Sequence, residues 1–191
     1  MIENIPAASR RSVPLWAQIL VWVGLVVLLV IVALGLRRSQ QGTVQPGEMI
    51  PDFNLTLFDG YTYQGQTQIN FSELRGKVVV INFWASWCKP CEQEAADLES
   101  AWRYYEPGGE VVFLGIDYVD TEPEARGYLT KFAITFPNGP DLATKISQFF
   151  RIKGVPETYF IDQNGVLQYI QVGPFPSEAQ IRQQVDRLLS Q

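Results

Sequence analysis

The chain of 191 residues is long enough for one globular domain and an additional segment. It carries 15 basic and 20 acidic residues, and from residue 49 onward 11 basic residues stand against 18 acidic ones. The excess of acidic residues in this part of the chain argues against nucleic-acid binding, because that binding depends on neutralising phosphates with Lys and Arg. The chain has no histidine and only two cysteines, which excludes an ordinary tetrahedral zinc site and removes the commonest general base.

An uncharged, strongly apolar segment comes first in chain order, between Arg11 and Arg37. Its core, Leu15–Leu36, is long enough to cross the roughly 30 Å hydrocarbon layer of a bilayer as a helix. A cleaved signal peptide is the alternative, but the apolar region of a signal peptide is about 7–15 residues long. We therefore predict cytoplasmic residues 1–14, a transmembrane anchor over 15–36, a linker over 37–48 and a domain over 49–191.

The domain from residue 49 alternates between predicted strands and helices. Phe53–Leu57 has the alternation of a strand, and Asp59-Gly60 predicts a hairpin turn that returns through Tyr61–Tyr63. The apolar run Lys77–Trp84 is typical of a central strand buried on both faces. The later predicted elements are a helix over 88–105, a strand over 111–116, a helix from about 121, a helix over 141–150, strands over 158–161 and 166–172, and a helix over 177–189. This order predicts an α/β fold with a mixed central sheet, helices on both faces and an N-terminal β-hairpin extension.

The run Trp-Cys-Lys-Pro-Cys at residues 87–91 joins the predicted central strand to the next helix. Free N–H groups and the helix dipole favour a negative charge on Cys88, and Lys89 adds a positive charge beside it. Because both effects lower the pKa of a thiol, Cys88 is the predicted nucleophile. Cys91 is placed to resolve the mixed disulfide, Pro90 fits the first helical turn, and Trp87 offers an apolar platform to a partner. Half a zinc site and two structural cysteines are the alternatives, and the strand–helix junction disfavours both.

The stretch Val79–Cys91 resembles the thioredoxin superfamily, and more narrowly the membrane-anchored thiol–disulfide oxidoreductases of the TlpA/ResA/CcmG (DsbE) group. Supporting motifs are Pro51-Asp-Phe53, Leu74-Arg-Gly-Lys77, Glu94 and Gly154–Asp162. The resemblance covers nearly everything from about residue 48 onward. It implies a thioredoxin-like fold whose only redox group is the Cys88–Cys91 disulfide, with no other cofactor and no metal.

The same resemblance implies a cis bond between Val155 and Pro156, in a turn against the two sulfurs. There the backbone of Val155 would pair with an extended substrate chain. Ordinary thioredoxins hold a buried aspartate at the position of Asn82, and an asparagine side chain does not take up a proton. Glu157, which follows the proline, is therefore the predicted proton-handling group for Cys91, with a solvated charge at the strand end as the alternative.

These features predict a disulfide reductase that acts outside the cytoplasm from the cell membrane. Arginines flank both ends of the apolar segment, so this orientation follows from the chemistry and not from charge. The resemblance implies a membrane thiol donor of the CcdA/DsbD type and, as substrates, the cysteines of apocytochromes c before haem attachment. General thiol–disulfide exchange with other extracytoplasmic proteins is the alternative. A peroxiredoxin is disfavoured because Ala85 stands where those enzymes carry a threonine, three residues before the reactive cysteine.

Overall fold

The structure, a computed structural model, describes residues 14–39 and 44–191. Most of the predicted cytoplasmic segment and part of the predicted linker lie outside the described residues. The chain divides into two units, Met1–Gln41 and Gly42–Gln191.

The described part of the first unit, residues 14–39, forms one long helix, α1, over Leu15–Ser39. Its portion Leu15–Leu34 has a mean hydropathy of 2.9, and no side chain of that portion is buried within the protein. Among the described residues this is the one helix whose length and composition suit a membrane span, and a signal sequence passes the same test.

Within residues 44–191, the second unit contains seven strands, four α-helices and three short 3₁₀ turns. Its strands are β1 Asn54–Thr56, β2 Gln68–Asn70, β3 Val78–Trp84, β4 Val111–Asp117, β5 Asn138–Pro140, β6 Glu157–Ile161 and β7 Leu167–Val172. Its α-helices are α2 Lys89–Tyr105, α3 Glu122–Lys131, α4 Lys145–Phe150 and α5 Glu178–Leu189. The 3₁₀ turns are Phe71–Leu74, Glu106–Gly108 and Leu142–Thr144.

Five strands form a mixed sheet in the order β5-β4-β3-β6-β7. The strand β3 lies at its centre, parallel to β4 and antiparallel to β6, and all seven residues of β3 are buried. Burial of both faces explains why this strand is an unbroken apolar run. The predicted thioredoxin-like α/β fold with a mixed central sheet is confirmed.

A separate apolar core covers each face of the sheet. On one face, α2, α3 and α5 pack around residues such as Val80, Phe113 and Leu98. On the other face, β1, β2 and α4 pack around Ile81 and Phe150. Alternate residues of β3, β4 and β6 therefore point to different cores, which fixes the face on which the side chains that these strands give to the site lie.

The N-terminal strand pair differs from its prediction. The strand β1 pairs antiparallel with β2, with Leu55 opposite Ile69, and not with Tyr61–Tyr63. Tyr63 instead bridges to Gln66 within its own tight turn. The predicted return of the chain at Tyr61–Tyr63 is therefore wrong, because the apolar side chain that completes the core, Ile69, comes later in the sequence.

Residues 44–48, the end of the predicted linker, are part of the second unit, as are the first two residues of the predicted domain. Val44 and Ile50 are buried, and the backbone N–H of Gly47 donates to the carbonyl of Leu167 at 2.7 Å. Met49 bridges to Val166, just before β7. This segment thus pairs with the chain at the start of β7, at the end of the sheet opposite to the one where β3 runs into Cys88.

Candidate active site

The two cysteines form a disulfide at the start of α2. Cys88 and Cys91 have a Cα–Cα separation of 5.3 Å, and both are buried, with 3% and 1% of their surface exposed. Cys88 is the N-cap residue of the helix, and its Sγ accepts a hydrogen bond from the N–H of Cys91 at 3.1 Å. The helix therefore begins at the sulfur itself, where unpaired N–H groups and the helix dipole stabilise negative charge.

Pro90 and Trp87 occupy the predicted positions around the disulfide. Pro90 lies in the first turn of α2, where its missing N–H removes no helical hydrogen bond. Trp87 is 57% exposed, and its indole N–H donates to the carbonyl of Val119 at 3.1 Å. This hydrogen bond holds an apolar ring beside the disulfide while leaving more than half of the residue open to a partner.

Lys89 lies beside Cys88 but is not an isolated positive charge. Its Nζ is 3.1 Å from Oε1 of Glu92, and the same oxygen is 3.2 Å from Nζ of Lys131. Hydrogen bonds from these two lysines hold the pKa of Glu92 below its ordinary value. The carboxylate of Glu92 therefore offsets part of the positive charge that the sequence places next to the nucleophile.

The peptide bond between Val155 and Pro156 is cis, as the family resemblance implies. Phe83 of β3 pairs with Glu157 of β6, so Pro156 lies alongside the end of β3, from which the chain runs into Cys88. Pro156 is buried and Val155 is partly buried. The sheet register thus brings the disulfide and the proline turn to the same end of the sheet.

Glu157 lies on the face of the sheet opposite to α2. It is buried, and its carboxylate accepts hydrogen bonds from the Lys153 N–H and from the Tyr159 hydroxyl, both at 2.7 Å. Tyr159, two residues along the same strand, belongs to the core that does not contain the cysteines. This placement does not favour Glu157 as the proton-handling group for Cys91.

A second buried carboxyl, Glu94, lies on the cysteine side of the sheet. It is 1% exposed and follows Cys91 by one helical turn on α2. Its two oxygens accept hydrogen bonds from Asn82 Nδ2 at 2.9 Å and from the Phe175 N–H at 2.8 Å. Burial raises the pKa of Glu94 to about 7, although these two hydrogen bonds act in the opposite direction.

The sequence contains a further signal for Glu94, which is otherwise one of the motifs that the chain shares with the family. Glu94 shares the inward face of α2 with Cys91, Ala95 and Leu98, where an acidic residue is unexpected. Asn82 donates both to Glu94 and, at 2.9 Å, to Oγ1 of Thr158. The position at which ordinary thioredoxins hold an aspartate therefore serves here as a hydrogen-bond donor to a carboxyl on the helix.

The arrangement of the two cysteines is suited to redox chemistry at sulfur. Cys88 and Cys91 are joined to each other, and no cluster of three or more His, Cys, Asp or Glu side chains suited to a metal occurs within residues 14–39 and 44–191. A disulfide of this kind exchanges with thiols and disulfides through a mixed disulfide. Fold and sulfur pair together define a thioredoxin-like thiol–disulfide oxidoreductase.

Comparison with known proteins leads to the same class. Residues 46–170 match the sequence pattern of the AhpC/TSA family. The thioredoxin-like protein YneN of Bacillus subtilis is 31% identical over 144 residues, which cover 75% of this chain and 80% of that protein. The thiol-disulfide oxidoreductase ResA of Oceanobacillus iheyensis is 34% identical over 128 residues, covering 66% of this chain and 65% of that protein, slightly less than two thirds of its length. The chain therefore belongs to the AhpC/TSA family.

Solved structures share the fold. A crystal structure of a thiol:disulfide interchange protein of the thioredoxin family from Chlorobium tepidum has a TM-score of 0.66 and 25% identity. The match covers 76% of this chain and 97% of that one. Together with the relatives named as thiol–disulfide oxidoreductases, this similarity supports the conclusion that the chain is an enzyme of thiol–disulfide exchange.

Proposed function

We propose that the protein is a disulfide reductase in which Cys88 attacks and Cys91 resolves. The observation that carries this proposal is the disulfide itself, with Cys88 as the N-cap of α2. In the reduced enzyme, unpaired N–H groups at the helix start would stabilise the Cys88 thiolate, and the thiolate is the form that attacks a disulfide.

The reaction proceeds in two exchanges. The Cys88 thiolate forms a bond to one sulfur of the substrate disulfide, the substrate S–S bond breaks, and the departing sulfur takes up a proton. Cys91 then loses its proton and attacks Cys88, which releases the second substrate sulfur as a thiol and closes the Cys88–Cys91 disulfide. Two electrons pass from the enzyme to the substrate, together with one proton that Cys91 gives up and one proton from solvent, and a thiol donor must reduce the enzyme again.

Glu94 is the group best placed to accept the proton of Cys91. It lies one turn further along the same helix, is buried with it, and has a pKa raised to about 7. A general base is most effective when its pKa is close to the pH at which it works. Glu94 therefore takes the proton-handling role in this proposal, and Glu157 is a positioning residue of the strand after the proline.

Val155 and Trp87 are the proposed substrate contacts. Neither backbone group of Val155 has a hydrogen-bond partner within the described part of the chain, and Val155 directly precedes the cis-proline. An extended substrate segment can therefore pair with this backbone, as in other cases of strand addition. The exposed ring of Trp87 adds apolar contact area beside the same sulfurs.

We further propose that the enzyme works from the outer side of a membrane during cytochrome c maturation. Support comes from the length and hydropathy of α1 and from the similarity to proteins named ResA. In this proposal residues 1–14 are cytoplasmic, 15–36 anchor the chain, 37–48 link, and 49–191 form the catalytic domain. Electrons would come from a membrane thiol donor of the CcdA/DsbD type and pass to apocytochrome c cysteines.

Two experiments test the two levels of this proposal. Cys88→Ser should abolish reduction of insulin disulfides, and retained activity would exclude Cys88 as the nucleophile. Cys91→Ala should trap the substrate as a stable mixed disulfide in native membranes, where mass spectrometry identifies it. Trapping of apocytochrome c supports the maturation role, whereas trapping only other extracytoplasmic proteins replaces it with general disulfide reduction.

A further inference from the structure

A buried carboxyl lies at the end of β4, outside the machinery described above. Asp117 is the last residue of that strand and is only 2% exposed. No hydrogen-bond donor within the described residues reaches its Oδ1. A buried carboxylate without donors is strongly unfavourable, whereas a protonated carboxyl is uncharged. These observations therefore favour a protonated Asp117.

The neighbour of this carboxyl is another carboxyl. Asp120 follows Asp117 by three residues. Burial, followed by the charge of Asp120 and a side-chain hydrogen bond with it, raises the pKa of Asp117 to about 8. The other charged group that acts on it is Asp141, from the segment after β5. Two carboxyl groups can hydrogen bond to each other only when one of them carries a proton, so the pair holds one proton and one charge.

Asp120 is hydrogen bonded to the loop that precedes the nucleophile Cys88. Its Oδ2 accepts a hydrogen bond from the Ser86 N–H at 2.6 Å, and its Oδ1 accepts from Ser86 Oγ at 2.8 Å. A third donor, the Thr121 N–H, is 3.1 Å from Oδ1. Because three donors converge on Asp120, it is the ionised member, and the buried Asp117 is the protonated one.

The segment to which Asp120 is hydrogen bonded is short and leads directly to Cys88. The chain passes from the end of β3 through Ala85, Ser86 and Trp87, and the Cys88 N–H donates to the carbonyl of Ala85 at 3.2 Å. The indole of Trp87 is bound by the carbonyl of Val119, from the same loop as Asp120. The loop after β4 thus holds the loop before Cys88 by three hydrogen bonds.

We propose that Asp117 and Asp120 are positioning residues that share one proton and hold the 85–88 loop so that Cys88 is presented to the substrate disulfide. The inference rests on the proposed role of Cys88 as the attacking thiolate. Sharing one proton has a physical advantage at this place. A fully ionised pair would put two negative charges near a sulfur that must itself become negative, whereas the shared proton keeps the loop fixed with only one.

The test compares the pH dependence of insulin reduction in full-length variants, purified in mild detergent with dithiothreitol as the electron donor. Asp117→Asn keeps a hydrogen-bond donor for Asp120 but does not ionise. Glu122→Gln is the matched control, because it removes an exposed negative charge two residues from Asp120 without touching Ser86. The measured quantity is kcat/KM of each variant divided by that of the parent, from about pH 6 to about pH 9.5.

The ratio for Asp117→Asn should stay near its low-pH value below about pH 7 and rise across about pH 8. The rise is expected because Asp117 ionises in the parent, which weakens the hydrogen bonds between Asp120 and Ser86. The expected rise is about fivefold, the factor that corresponds to one hydrogen bond. The ratio for Glu122→Gln should show no such step. A flat ratio for Asp117→Asn, or the same step in the control, overturns the proposal.

A second measurement does not depend on the variant folding or on the reaction. In the parent labelled with ¹³C-aspartate, one carboxyl carbon should titrate near pH 8, well above the ordinary aspartate value of about 3.9. If every aspartate titrates below about pH 6, the shared proton does not exist and the inference fails. An enzyme that shows this titration but reduces no insulin would instead contradict the proposed role of Cys88.

Discussion

Replacing Glu94 with glutamine should change the free energy of unfolding in opposite directions at low and high pH. In the parent, the two oxygens of Glu94 accept hydrogen bonds from Asn82 and from the Phe175 N–H. Glutamine keeps one oxygen but turns an NH₂ group toward one of these donors. At about pH 5 the variant therefore loses one buried hydrogen bond, which costs about 1 to 2 kcal/mol.

At high pH the parent loses the stabilisation that comes from the proton bound to Glu94, which the glutamine variant does not have at any pH. The pKa of Glu94 is raised from 4.5 to about 7, so the folded state holds the proton more tightly than the unfolded state. Stability from this group is complete below the unfolded pKa and falls by about 1.4 kcal/mol per pH unit until the folded pKa is passed. The total loss is about 3 kcal/mol, so above about pH 8 the variant should be the more stable protein by about 1 to 2 kcal/mol.

The assay is urea unfolding of the oxidised full-length protein in mild detergent, followed by tryptophan fluorescence between about pH 4.5 and pH 9. Glu157→Gln is the matched control, because it alters a carboxyl of similar burial on the opposite face of the sheet. The difference between Glu94→Gln and the parent should change sign with pH. A difference that does not vary with pH would refute the reasoning, since burial of the charge would then not govern Glu94.

Other substitutions test the packing and the charge around the site. Gly115→Ala should destabilise the protein by about 3 kcal/mol in urea unfolding, because its new Cβ would overlap Oδ1 of Asn138 in the core. Gly127→Ala, in the middle of α3 with open space around it, should instead stabilise by about 0.5 to 1 kcal/mol, and a loss there would contradict the assigned helix. Glu92→Gln should raise the rate of Cys88 alkylation at neutral pH about twofold by freeing two lysines. That gain should disappear in high salt, and a rate unchanged at low salt would show that these charges do not reach the sulfur.

Elements with a strong local pattern were predicted correctly from the sequence. The unbroken apolar run of β3 indicated the central strand, and the strands predicted over 158–161 and 166–172 are β6 and β7. The strand β5, only Asn138–Pro140, was missed because a Gly and a Pro in three residues give no strand pattern. Its conformation is set by pairing with β4 and by close contact between Gly139 and the backbone of Thr56, both of which are tertiary.

The sulfur pair of the site was predictable, whereas its carboxyls were not. Spacing and position at a strand–helix junction were enough to identify Cys88 and Cys91. Choosing a proton acceptor required knowing which face of the sheet each carboxyl occupies, and that depends on register. Glu157 is close to the proline in sequence yet faces the other core, while Glu94 faces the cysteine side.

The two buried carboxyls around the redox centre meet the same electrostatic requirement by different means. A thiolate is easiest to form where few negative charges surround it, yet the loop and the helix around Cys88 need hydrogen-bond acceptors to fix them. Glu94 meets both needs through burial, which keeps it near its titration midpoint at neutral pH. Asp117 meets them through a shared proton, which leaves the negative charge on Asp120, where three donors hold it. Because both carboxyls have a raised pKa, rising pH should both change proton transfer at Cys91 and loosen the loop that presents Cys88.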